Sequence, residues 1–202
     1  MSVLFNAGNG NFTPQADYPV GHYPFAIAAA DLDGDGHVDL TVTNADDHTF
    51  RTLRNGGDGT FAAWDNYATC KVPRKLAVGD MDGDGKPEVA VACDNDGFQV
   101  FHNDGSGVFD ASTHFPEPGD FVAIAIVDLD GDRQPDLVVS DAISIYVKPN
   151  TGGWHFGPGW RYSTFGGTAE IAVADMNGDT RLDLAAVDQG SRVKVFLDAC
   201  LP

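Results

Sequence analysis

Apolar residues occur along this chain in short runs of four to seven, separated by polar turns, and the same order of runs returns about every 48 residues. Each unit opens with one apolar run (FAIAAAD, KLAVGD, VAIAIVD, EIAVAD) and, after an acidic loop, continues with a second (DLTVTN, EVAVAC, DLVVSD, DLAAVD). A third run follows (FRTLRN, FQVFHN, ISIYVKPN, RVKVFLD). Turns rich in Asn and Gly (NAGNGNF, NGGDGTF, NDGSGVF, NTGGWHF) then lead to a fourth, which ends on Tyr18, Tyr67, Phe115 or Tyr162. The runs are too short for helices, rich in Val and Ile, and bounded by Gly, Asn, Asp and Pro, so they predict β-strands. Asn and Gly in the turns suit hairpins that need positive φ.

Four short antiparallel strands per unit, repeated, predict an all-β chain of β-propeller blades. Four units of this length predict four blades in a single domain over residues 1–202. The first strand carries mostly bulky residues at alternate positions (Ile27 and Ala29, Leu76 and Val78, Ile124 and Ile126, Ile171 and Val173) and mostly small ones between (Ala28 and Ala30, Ala77 and Gly79, Ala125 and Val127, Ala172 and Ala174). That asymmetry fits the innermost strand, and we expect its small face to border the crowded centre. Lys75 and Glu170 hold the same strand position two units apart, either as two solvated charges or as a salt bridge across the channel. Val3–Phe5 resembles a third strand, yet Val193–Leu197 is one too. The ends therefore supply one third strand too many for simple closure. Closure with an extra edge strand, pairing with a second chain into a larger ring as a homodimer, and a piece of a longer propeller all remain open. A bare open arc is expected to aggregate through its edges.

Between first and second strands lie DLDGDGHVDL, DMDGDGKPEV, DLDGDRQPDL and DMNGDTRLDL. Acids at positions 1, 3, 5 and 9 collect hard oxygen donors. The candidate metal ligands are Asp31, Asp33, Asp35 and Asp39 with the carbonyl of His37; Asp80, Asp82, Asp84 and Glu88 with that of Lys86; Asp128, Asp130, Asp132 and Asp136 with that of Gln134; and Asp175, Asn177, Asp179 and Asp183 with that of Arg181. Six or more oxygens suit Ca²⁺, and the lack of thiol or imidazole ligands argues against zinc or copper. An EF-hand would need a Glu at position 12 inside a helix, but Val42, Val91, Val139 and Ala186 stand there within strand-like runs.

DLDGDGHVDL and DMDGDGKPEV, with the downstream NGGDGTF and NDGSGVF, resemble the FG-GAP or VCBS-type repeats of integrin α-chain propellers and bacterial secreted proteins. The resemblance covers essentially the whole chain. It implies up to four Ca²⁺ ions between first and second strands, on the face opposite the one that meets ligands. Two loops depart from it: Gly36 and Gly85 at position 6 become Arg133 and Thr180. If that position needs positive φ these two loops are strained, so the first two loops are the better sites.

The net charge of -18 argues against nucleic acid and anionic membranes. Half of the 30 acidic residues lie in the four loops, so the acidity is largely a site property. No apolar stretch is long enough to insert in a membrane, and MSVLFNAGNG has no basic n-region or long apolar core, so no signal peptide is legible. No nucleophile elbow, phosphate loop or zinc-protease motif occurs, which predicts no catalytic residues and no enzyme. Asp46, Asp47, Asp94, Asp96, Glu117 and Asp120 fall in connectors where a carboxylate pair could act as acid and base, although solvated loop charges are commoner.

Connectors from fourth to first strand (21–24, 69–74, 116–120, 164–168) and loops from second to third (44–48, 94–97, 141–142, 188–192) should share the face opposite the acid loops. There Tyr23, Phe165, Lys71, Arg74 and Arg192 offer aromatic and cationic contacts to a protein or carbohydrate ligand. Cys70 and Cys93 fall on the same face and could form a disulfide, leaving Cys200 free. Trp64, Trp154 and Trp160 either stack on sugars, as in a lectin, or fill gaps at blade edges. The expectation is an extracellular, non-catalytic, calcium-stabilised module for protein or glycan recognition and adhesion. A sugar-binding lectin, or the propeller portion of a larger secreted enzyme, are the alternatives.

Overall fold

A computed structural model describes residues 1–164, 166–188 and 192–197. Among these residues every regular element is a strand. In chain order they are β1 Ser2–Gly8, β2 Asn11–Asp17, β3 Pro24–Ala30, β4 Asp39–Asn44, β5 Thr49–Asn55, β6 Phe61–Ala68, β7 Pro73–Gly79, β8 Glu88–Cys93 and β9 Phe98–His102. There follow β10 Ala111–Phe115, β11 Ala123–Val127, β12 Asp136–Ser140, β13 Ser144–Lys148, β14 Trp160–Ser163, β15 Thr168–Ala174, β16 Asp183–Asp188 and β17 Val193–Phe196. No helix long and apolar enough to cross a membrane is present among the described residues.

The strands form five antiparallel sheets rather than four: β1-β2, β3-β4-β5-β6, β7-β8-β9-β10, β11-β12-β13-β14 and β15-β16-β17. Three are complete four-stranded blades. The pair β1–β2 stands in the place of strands three and four of a blade before them. Its position is shown by a contact that repeats one unit later: the Phe61 N–H donates to the Tyr18 hydroxyl at 3.2 Å, and the Phe109 N–H to the Tyr67 hydroxyl at 3.3 Å. The excess third strand is therefore real, since β1 and β17 both hold that position.

Second strands read as continuous apolar runs because neighbouring blades cover both their faces; β8 and β12 are buried throughout. The core consequently lies between blades. One cluster joins Phe50 and Leu32 to Val89, Val91 and Phe101; the next joins Ala90, Ala92, Phe98 and Val100 to Leu137 and Val139; a third joins Val138, Ile145 and Val147 to Leu184 and Ala186. Full burial of each such side chain is worth about 1.5–3 kcal/mol.

The expectation for the innermost strands is corrected here. Their small face does not border the centre; it receives the bulky face of the next blade. A Cβ built on Gly79 would lie 3.1 Å from Ile126 Cγ2. Ala30 packs in one cluster with Leu76 and Val78, and Ala125 and Val127 pack in one with Ile171 and Val173. Small against large is required because inner strands approach closely while each blade stacks face to face on its neighbour. Lys75 of β7 and Glu170 of β15 do pair, Nζ to Oε2 at 2.6 Å, linking two inner strands that are not in neighbouring blades.

Candidate metal loops and the opposite rim

Each acidic loop starts where its first strand ends. Position 1 closes the turn: Asp31 accepts the N–H groups of Gly34 and Gly36, and Asp80, Asp128 and Asp175 accept the corresponding pairs in their own loops. Position 9 is buried and ties the loop to its strand. Asp39 accepts from Leu32 N at 3.1 Å and Asn55 N at 2.8 Å; Asp136 accepts from Leu129 N at 3.0 Å and Asn150 N at 2.8 Å. Glu88 accepts from Met81 N through Oε2, while its buried Oε1 makes no hydrogen bond and has His102 Nδ1 3.8 Å away. Asp183 accepts from Met176 N.

Among the described residues, three groups of carboxylates converge, Asp31–Asp33–Asp39, Asp80–Asp82–Glu88 and Asp128–Asp130–Asp136, each offering oxygens within 4.8 Å of one another. Two oxygens on opposite sides of a Ca²⁺ with bonds of about 2.4 Å stand at about that separation. The donor set is hard oxygen throughout, and the buried Glu88 Oε1, which accepts no hydrogen bond, fits a cation-ligating role. Burial pushes the Glu88 carboxyl up to about 7 and the Asp136 carboxyl up to about 6, and raises Asp39 in the same way. A nearby divalent charge reverses that preference, because it favours the ionised form. The residues therefore fit Ca²⁺.

Position 5 is not drawn into these groups. Asp35, Asp84, Asp132 and Asp179 cap the N–H groups of His37, Lys86, Gln134 and Arg181. The His37 N–H and then the Arg54 guanidinium hold Asp35 below the usual carboxylate range. Arg54 reaches Asp33 at 2.5 Å as well as Asp35 at 3.2 Å, which puts one fixed positive charge beside loop one. In loop four Asn177 replaces the second carboxylate and donates to Asp179. Position 6 is left-handed in all four loops, with φ of 84° at Gly36 and Gly85, 72° at Arg133 and 75° at Thr180. The strain expected of Arg133 and Thr180 is thus present.

Two features escaped the sequence reading. The position 7 side chains of His37, Lys86 and Gln134 lie over turn glycines Gly57, Gly105 and Gly152, where a Cβ would collide with them at 2.8, 2.5 and 2.6 Å. The asparagines opening two of the turns, Asn103 and Asn150, link neighbouring blades. Asn103 Nδ2 donates to Pro87 O of its own loop and Leu32 O of the preceding loop; Asn150 Nδ2 donates to Pro135 O and Met81 O. The repeated N at the head of each turn was the available signal, read only as turn chemistry.

On the opposite rim, connectors and second-to-third loops meet as expected. The Gly21 N–H donates to Asn44, the His22 N–H to Asp47, the Lys71 N–H to Asp96 and the Thr168 N–H to Ala142 O. Cys70 and Cys93 form a disulfide across one such pair. The connector acids are engaged in these contacts: Asp94 pairs with Arg74 and Glu117 with Lys148, and a hydrogen bond to Asp94 raises the Asp120 carboxyl. Tyr23 is 63% exposed, and Lys71 is exposed in the next connector along this rim. Phe165, residues 189–191 of the last loop, and Cys200 lie outside the described residues. Trp64 and Trp160 sit on outer strands, and Trp154 takes left-handed φ of 67° in a turn and meets the His102 ring edge-on at 4.6 Å.

The chain resembles solved propeller-type structures. BBS1N, solved in complex with ARL6DN, shares 14% identity and a TM-score of 0.64 over 88% of this chain. A lectin from Agrocybe aegerita that specifically recognises non-reducing terminal N-acetylglucosamine shares 22% identity and a TM-score of 0.62 over 96% of this chain. This chain spans 54% and 59% of their respective lengths. No curated protein matches it. The family model for the FG-GAP-like repeat matches three times, over residues 1–42, 31–91 and 80–139, and with the repeated acid loops and blades the chain belongs to the FG-GAP-like repeat family.

Proposed function

We propose that this chain is a non-catalytic, calcium-stabilised propeller module that presents its loop rim, opposite the acid loops, to an extracellular protein or glycan. The observation that carries the reading is the division of labour between the two rims. One gathers three sets of converging carboxylates suited to Ca²⁺. The other is a fixed platform of stapled loops with Tyr23 and Lys71 exposed. Rigid loops at one end of a β-scaffold are a common seat of recognition. Millimolar calcium and a stable Cys70–Cys93 bond both suit the extracellular space. Asp47, Asp94, Asp96 and Glu117 are held in structural contacts, which supports a role without catalysis.

A lectin is the second reading. It is favoured by the sugar-specific neighbour and by a cleft of about 250 Å³ lined by His102, Ser112, Thr113 and Trp154. The test is binding of labelled protein to a glycan array and to cultured cells, in calcium and in EDTA. Binding that is lost in EDTA and with Tyr23→Ala and Lys71→Ala supports the rim. Array hits removed by Trp154→Ala instead support the lectin cleft. Binding indifferent to calcium and to all three substitutions overturns both.

A further inference from the structure

The residue before each turn asparagine holds one position of the repeat: Arg54 before Asn55, His102 before Asn103 and Pro149 before Asn150. The fold brings the first two against the acid loop of their own blade. Arg54 Nη2 lies 2.5 Å from Asp33 and 3.2 Å from Asp35, and His102 Nδ1 lies 3.8 Å from Glu88 Oε1. Pro149 brings no charge. Asp33 is one of the three converging carboxylates of loop one, and the guanidinium covers it. Its side chain is 6% exposed, whereas the equivalent Asp82 and Asp130 are exposed residues. Arg54 is held from its other side too. Its guanidinium stands 5.3 Å from the centre of the Trp64 ring, which packs against the core shared by the first two complete blades.

Loops two and three lack such a contact. Lys86 pairs with Asp84, which stands outside the converging group of loop two. Among the described residues no cationic side chain pairs with Asp128, Asp130, Asp132 or Asp136. Arg181, which shares a hollow with Asp128 and Asp130, pairs with Asp179 of its own loop. A permanently charged guanidinium on a converging carboxylate supplies part of the charge a bound ion would bring, and it repels that ion. We propose that Arg54 is a tethered competitor for Ca²⁺ at loop one, so that this loop, whose acids and Gly36 fit the repeat pattern fully, fills at higher calcium than loops two and three. The inference rests on the calcium reading of the loops. A doubly charged ion about 5 Å from one fixed positive charge loses roughly tenfold in affinity at water-like screening, and more where water is excluded.

The test titrates calcium into the full chain, stripped with EDTA and dialysed, by isothermal titration calorimetry. The parent, Arg54→Gln and Arg54→Lys are compared, with thermal melts of each in EDTA and in calcium. Asp31→Asn identifies the step that belongs to loop one. The expected result is that this step is the weakest in the parent and tightens about tenfold in Arg54→Gln, the tighter steps staying where they are. Arg54→Lys, which keeps the charge, keeps the weak step. Arg54→Gln also widens the separation between the EDTA and calcium melts by about 3–6 °C, whereas an arginine that only braces the fold would shift both melts together. A loop-one step unmoved by Arg54→Gln, or one already as tight as the others in the parent, overturns the proposal and leaves the calcium reading standing. So does an Arg54→Lys chain that behaves as Arg54→Gln. No calcium heat at any loop, with coincident melts, overturns both.

Discussion

Removing calcium should unfold this protein at a much lower temperature, and the size of the effect follows from the loops. Three loops bring carboxylate oxygens within 4.8 Å of one another. Like charges about 4 Å apart repel by about 1 kcal/mol per pair in water, and by more where water is excluded. A bound divalent ion removes that repulsion and holds the folded state by mass action. A single site at a hundredfold excess of Ca²⁺ over its Kd adds about 2.7 kcal/mol, so three give roughly 8 kcal/mol. In a domain of this size each kcal/mol moves Tm by about 2–4 °C, so millimolar Ca²⁺ against EDTA should separate the melts by roughly 16–32 °C. The assay is differential scanning calorimetry in EDTA, then again after calcium is restored. Asp31→Asn, Asp80→Asn and Asp128→Asn should each remove about a third of the difference, since each dismantles one loop. Melts that coincide within about 2 °C, whatever the free calcium, would refute the reading that these acids gather to hold an ion.

The remaining predictions test separate parts of the structure. Without metal, Glu88, Asp136 and Asp39 have folded-state pKa values above their ordinary ones, so the folded protein binds more protons than the unfolded chain between the two. Stability in EDTA should therefore rise as pH falls from about 7 toward the ordinary carboxylate range, while the gain from calcium shrinks over the same window; urea titrations at several pH values check both signs. Cys70→Ser with Cys93→Ser should cost about 3 kcal/mol, seen as a lower urea midpoint that reductant reproduces in the parent protein. Gly79→Leu should cost about 1–3 kcal/mol by driving a side chain into Ile126, whereas the same change at Ala29, whose neighbouring blade is incomplete, should cost less; paired thermal melts decide. Arg133→Gly and Thr180→Gly should each raise stability by about 1 kcal/mol through relief of left-handed strain, and unchanged melting temperatures would mean the loops carry no such strain.

Sequence alone determined what is local and periodic here. The strands and their order follow from short β-branched runs between Gly, Asn and Asp, and the four acid loops follow from acids at fixed spacing, because both depend on neighbours within about ten residues. The left-handed position 6 was legible because two of its four occupants are glycine. The Lys75–Glu170 pair was legible as a possibility only, since nothing within one unit fixes the distance between two.

Only the tertiary structure decided which carboxylates converge. Positions 1, 3 and 9 meet because position 9 is pinned by the N–H of loop position 2 and by that of the asparagine that opens the downstream turn, while position 5 is occupied in capping position 7. It also decided where the small faces point, since Gly79 makes room for the next blade and not for an axis. The inter-blade reach of Asn103 and Asn150, and the bareness of Ile27 and Met176, depend on which residue of one repeat meets which residue of the next. A repeated sequence specifies each blade almost alone. Stacking geometry and ring closure are properties of the contacts between blades, and no single repeat contains them.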